Sequence, residues 1–190
     1  LFNGGSALAA NGVAAYAFVN TDISGSVAMI VWLLISWKRE KKPSIVGALT
    51  GAVAGLATVT PAAGYIHPWA AVVIGAASGA ICYGAVILRA KLKLDDALDV
   101  FGCHGVGGIL GSILVGVFAC GAINKVNGAY YGDFHQLGVQ ILAVAITASY
   151  TFIVTFGLLK IINVFVPVRV SEETELQGLD ESMLDQISDL

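Results

Sequence analysis

Apolar residues run through this 190-residue chain in long blocks separated by short polar breaks. Crossing a hydrocarbon core of roughly 30 Å takes about twenty apolar residues in a helix, and several blocks approach or exceed that length. Residues 13–37 form the first whole block, apolar apart from Asp22 and a Thr/Ser/Gly patch, and end at Lys38, Arg39, Glu40, Lys41, Lys42 and Pro43. Pro43 and Ser44 open a second block, residues 45–59, which Thr60 and Pro61 stop. The third, residues 68–88, begins at Pro68 and ends in Arg89, Lys91 and Lys93. The fourth, residues 99–119, is laden with glycine and carries one histidine, His104. After a polar loop at 124–134, a long fifth block covers residues 136–165, closed by Pro167. Residues 1–10 are apolar but short, and are expected to be the outer end of a further span. The pattern predicts an all-α integral membrane protein with five whole spans, residues 1–167 forming the membrane domain and residues 168–190 a polar tail.

Composition agrees. The chain is 57% hydrophobic and 12% charged, where a soluble domain carries roughly a quarter charged residues. Leu1 lacks a methionine, a basic region or a cleavage site before it, so no signal peptide is expected. The sequence reads as a fragment lacking an N-terminal part.

Charge orients the spans. If residues 13–37 run towards the cytoplasm, the basic loops after residues 37 and 88 and the tail all lie inside. Nine of the ten Lys and Arg then fall on one side, leaving Lys125 outside, as the positive-inside rule requires. A cell-membrane protein with a cytoplasmic C-terminus follows. The net charge of −3 hides a second asymmetry, because seven of the thirteen acidic residues lie in residues 171–190. No basic run suggests nucleic acid.

Small residues recur at four-residue spacing. Gly47, Gly51 and Gly55, then Gly75 and Gly79, then Gly107 and Gly111 form GxxxG steps, which let helix backbones approach closely in lipid. Tight packing is the expected role, with a backbone-lined pore the minority alternative.

His104 is the residue that most needs explaining. Ionisable side chains within a span are expensive and mark a substrate or proton pathway by default. Neutral imidazole has one donor and one acceptor nitrogen and titrates near neutrality. Gly102, Gly105, Gly107 and Gly108 leave room beside the ring. The alternative is a histidine bonded to a neighbouring helix with nothing passing it. Asp99 starts the same block and is expected to cap its backbone N–H groups. Asp95 and Asp96 are expected to be solvated or paired with Lys91 and Lys93. His67 and His135 fall at span ends and are expected to be unremarkable. Trp32, Trp37 and Trp69 read as apolar or interfacial anchors. Cys82, Cys103 and Cys120 lack metal spacing and are expected to pack as small buried hydrophobes. Near the N-terminus, Phe2 and Ser6 are four apart and share a helix face, an arrangement suited to a cation. No nucleophile–base set or metal cluster suggests an enzyme, and no cofactor is expected.

Together these segments resemble one family, the ammonium transporters of the Amt/Mep/Rh superfamily on the Amt side. The resemblance rests on FNGGSALAAN, AFVNT, KPSIVGALTGAVAGLATVTPAAGYI, DDALDVFGCHGVGGILGSILVGVFA and VRVSEETELQGLD, in the family's order. It implies an eleven-span protomer built as an inverted repeat plus a long final helix, assembled as a homotrimer with one pore each. This chain then corresponds to the end of span six through span eleven and the start of the tail. By the same resemblance His104 matches the second of two pore histidines, Phe2 an outer gate and Ser6 the serine of an ammonium-recruitment site. Asp99 matches the acidic residue of the DVFGxHG motif. The resemblance implies that ammonium, or methylammonium as its analogue, is recruited outside, deprotonated, and passed as ammonia along an apolar pore. An ammonium sensor on the same fold is the alternative.

Family tails also imply a PII-type signalling protein docking on the cytoplasmic face. Here, however, Gly178, Leu179 and Asp180 are followed by ESMLDQISDL, without the family's His-Gly-Glu. Leu176, Leu179, Met183, Ile187 and Leu190 recur every three or four residues, as on an amphipathic helix.

Overall fold

The computed structural model describes residues 2–179. A short helix α1 (Phe2–Gly5) leads into α2 (Gly12–Glu40), α3 (Ile45–Val59) and α4 (Pro68–Lys91). A π-helical segment, Phe101–Val106, then continues directly into α5 (Gly107–Phe118). A one-turn α6 (Gly121–Asn124) and a 3₁₀ turn (Ala129–Tyr131) precede α7 (Phe134–Phe165) and α8 (Glu172–Gln177). No strand occurs among the described residues. Four helical stretches are long and apolar enough to cross a membrane, namely Gly12–Glu40, Pro68–Lys91, Phe101–Phe118 and Phe134–Phe165, whereas Ile45–Val59 is shorter.

Local sequence sets the helix ends. Asn11 accepts from Ala14 N at 3.0 Å and starts α2, and Ser44 accepts from Gly47 N at 3.0 Å and starts α3. Each satisfies an N–H that the helix leaves without an intrahelical partner. Lys41 stops α2 in the left-handed conformation, its N–H reaching Trp37 O. Pro68 occupies the first turn of α4, where its missing N–H costs nothing.

The chain divides into two compact units, Leu1–Ala145 and Ile146–Leu190. In the first, α2 is flanked by the glycine stripes of α3 and α4. A Cβ on Gly55 would lie 2.5 Å from both Ala28 Cβ and Ser24 O, and one on Gly75 would lie 2.6 Å from Ser24 O. On α5, a Cβ on Gly111 would lie 1.8 Å from Thr58 O. The stripes are therefore seams where one helix backbone rests on another. Small residues suit such seams because in lipid helix association depends on van der Waals packing.

Two buried clusters sit beside these seams. Val59, Ala62, Ile66, Ala70, Ala71, Ile74, Val115 and Ala119 join α3, α4 and α5 at one end. At the other, Trp32, Ala54, Cys82, Tyr83 and Cys103 pack together. Of the apolar and interfacial roles open to it, Trp32 takes the apolar one. Only 4% exposed, it meets Tyr83 edge-on with ring centroids 5.2 Å apart. Trp37 and Trp69 are exposed. All three cysteines are buried and free, as expected.

In the second unit α7 continues as an apolar helix with no buried residue. Ser171 caps α8 through Thr174 N, and Arg169 pairs with Glu175 at 2.8 Å. Of the predicted amphipathic tail pattern, Leu176 and Leu179 are described and both exposed. Met183, Ile187 and Leu190 lie outside the described residues.

Candidate functional site

His104 belongs to the π segment rather than to the α-helix that follows. A π turn is rare and is frequently found at functional sites. Gly102 and Cys103 turn inwards and are buried, whereas Phe101 and His104 are exposed. A Cβ on Gly102 would lie 2.8 Å from Val86 Cγ2, so this turn lies tight against α4. The imidazole takes part in none of the hydrogen bonds among the described residues.

The start of this segment is held by two carboxylates with different tasks. Asp96 accepts from Val100 N at 2.9 Å and from Phe101 N at 2.8 Å. The cap expected of Asp99 thus comes from three residues upstream. Asp99 has a φ of 55°, and its carboxylate accepts from Arg89 Nε at 3.1 Å and from the terminal guanidinium nitrogen as well. A residue in that conformation marks a sharp turn in the chain, and its carboxylate meets the end of α4 instead of the N–H groups ahead. Asp96 therefore does not take the lysine partners or free solvation expected of it.

Ser6 and Phe2 lie at the opposite end of the bundle from Arg89 and Asp99. Ser6 Oγ donates to Phe2 O at 3.1 Å. A hydroxyl has one donor and two acceptor positions, so this bond leaves its oxygen able to accept from an N–H cation. Ser6 lines a cavity of about 320 Å³ together with Ala7, Asn11, Val13, Gly64, Tyr65 and Asn124. The Phe2 ring is 83% exposed. Asn3 anchors this short helix by donating to Thr21 Oγ1 at 3.0 Å and Thr60 Oγ1 at 3.2 Å. The structure thus joins Phe2 to Ser6 and places His104 on a separate element.

Asn20 is a residue that hydropathy passed over. Fully buried in α2, it donates from Nδ2 to Ala63 O at 2.8 Å and Ile66 O at 2.7 Å. It thereby ties α2 to the turn between α3 and α4. An asparagine amid the apolar AFVNT was the available signal, since buried polar groups persist where they satisfy partners.

The chain matches the family model described as Ammonium Transporter Family over residues 1–188. It belongs to that family. It is 46% identical over 185 residues to an ammonium transporter of Bacillus subtilis, covering 96% of this chain and 46% of that protein. To the ammonium transporter Amt1 of Archaeoglobus fulgidus it is 44% identical, covering 98% of this chain and 48% of that one. Among solved structures, Saccharomyces cerevisiae Mep2 superposes with a TM-score of 0.85 at 36% identity, over 90% of this chain and 40% of that one. A structure named Sensor Amt Protein gives 0.84 at 28% identity, over 94% of this chain and 44% of that one. The chain spans about half the length of the curated relatives it matches. These relatives are named as transporters rather than enzymes, and the family and the apolar helices together make this a membrane protein.

Proposed function

We propose that the intact protein moves ammonium nitrogen across a membrane and that this chain supplies the pore wall bearing His104. The observation that carries the reading is the exposed imidazole, without a hydrogen-bond partner among the described residues, on a π-wound turn of a membrane-length helix. A bare ammonium ion in a low-dielectric path carries a desolvation penalty of several kcal/mol. A neutral imidazole can hydrogen-bond ammonia without adding charge, so ammonia is the species that passes His104. Ser6 receives the cation at the outer mouth, Phe2 gates it, and the proton is lost near that gate. Residues 1–167 form the membrane domain and residues 168–190 a cytoplasmic tail. The protein works as a homotrimer in the cell membrane, and a PII-type protein is the candidate partner on the cytoplasmic face.

The test uses the full-length protein in vesicles. His104→Ala lowers methylammonium uptake at least tenfold or admits K⁺; unchanged uptake and selectivity would refute the pore role. The likeness to the Sensor Amt Protein structure supports a second reading, an ammonium sensor. That reading requires wild-type protein that binds ammonium while uptake stays at the level of empty vesicles.

A further inference from the structure

Away from His104, one pair of metal-ligating side chains meets at the end of the bundle that carries Ser6. His67, the residue before α4, and Cys120, between α5 and α6, approach to 3.5 Å between Nε2 and Sγ. The backbone already holds these two connections together, because Cys120 N donates to Tyr65 O at 2.8 Å. The Tyr16 ring meets the imidazole edge-on at 6.2 Å and steadies its plane. His67 is half-buried, so the pair reaches the protein surface.

The spacing has a chemical meaning. Zn–S and Zn–N bonds of about 2.3 and 2.05 Å at a tetrahedral angle place sulfur and nitrogen about 3.6 Å apart. The pair already stands at the edge length of a tetrahedral zinc site. Among the described residues no three His, Cys, Asp or Glu side chains converge on a metal position. Two protein ligands, with water in the remaining positions, define an open and reversible site rather than a structural one.

We propose that His67 and Cys120 form a binding site for a thiophilic divalent cation of the Zn²⁺ type, clasping the start of α4 to the α5–α6 connection. Binding replaces the thiol proton with the metal. The displaced thiol proton passes to solvent, and the His67 Nε2 lone pair supplies the second bond. Neither residue belongs to the pore machinery proposed above, so the site stands or falls separately from that reading.

The experiment titrates purified full-length protein in detergent with ZnCl₂ by calorimetry, in two buffers of different ionisation enthalpy, and with CoCl₂ by absorption. One metal per chain, about one proton released, and a thiolate-to-Co²⁺ charge-transfer band are expected. Cys120→Ser abolishes the band, and His67→Ala weakens Zn²⁺ binding at least tenfold. A variant carrying Cys82→Ser and Cys103→Ser, with Cys120 as the one cysteine left in residues 1–190, keeps the band, which guards against misfolding of the Cys120→Ser variant. Absence of a band in both the wild type and this double variant overturns the site and leaves an S–H···N hydrogen bond. Equal Zn²⁺ affinity in wild type and His67→Ala overturns it as well.

Discussion

Arg89, in the last turn of α4, reaches the Asp99 carboxylate through two guanidinium nitrogens, immediately before the π segment that carries His104. Both side chains are about three-quarters shielded, and a two-nitrogen arginine contact fixes direction as well as distance. The pair therefore joins the end of one span to the beginning of the next. Asp99→Asn keeps a residue type that tolerates a φ of 55° while removing the charge. It is expected to cost about 1–2 kcal/mol, with Arg89→Ala similar and the double variant little worse than either. A thermal-melt double-mutant cycle on the full-length protein checks this, and additive losses would show that the pair is not coupled.

The glycine seams give a sharper contrast. Gly111→Ala places a methyl group on Thr58 O and Gly55→Ala places one on Ser24 O. Each forces two helix backbones apart, at about 1–3 kcal/mol or more. A methyl group on Gly84 would meet nothing within 4 Å, so Gly84→Ala is expected to be tolerated. Melting temperature and the yield of monodisperse protein separate the cases. A harmless Gly111→Ala would mean the seam is looser than these distances imply.

Asn20→Ala removes two donors from buried carbonyls of the α3–α4 turn. Leaving buried acceptors unsatisfied costs about 1–3 kcal/mol. The expected result is a lower melting temperature with the helix content preserved at room temperature, read by circular dichroism. A change below about 0.5 kcal/mol would mean that water replaces the amide there.

On the proposed function, Ser6→Ala removes an ammonium acceptor from the cavity that Ser6 lines. One hydrogen bond to a charged group is worth about 1.5–3 kcal/mol, which corresponds to a tenfold or greater rise in the ammonium concentration for half-maximal uptake. Maximal uptake should change less. Concentration dependence matching wild type would remove Ser6 from the recruitment site.

Much of this arrangement was legible from the residues alone. Long apolar blocks and the basic loops located the helices, and Ser44 and Pro68 mark boundaries that the structure keeps. The glycine spacing identified the seams because four residues return nearly to the same helix face. What escaped was the chemistry created by folding. Capping passed from Asp99 to Asp96 because Asp99 turns towards Arg89, a residue ten positions away. For Trp32 the apolar and interfacial roles were both open, and its contact with the Tyr83 ring, far along the chain, was not visible in the sequence. His67 and Cys120 are 53 residues apart, and no local spacing could announce their meeting. The π winding around His104 was equally hidden, since hydropathy does not distinguish it from ordinary helix.

That winding separates two kinds of register. Gly107, Gly111 and Val115 fix which side of α5 is packed, whereas the number of residues in Phe101–Val106 fixes the direction in which His104 points. A single-residue deletion there, closing the π turn into an α turn, would swing the imidazole by about 100° without moving a seam glycine. Chain length in one turn thus becomes a dial for the imidazole, and insertion or deletion at this place is a route by which the fold can acquire a different occupant of that direction while its packing stays intact.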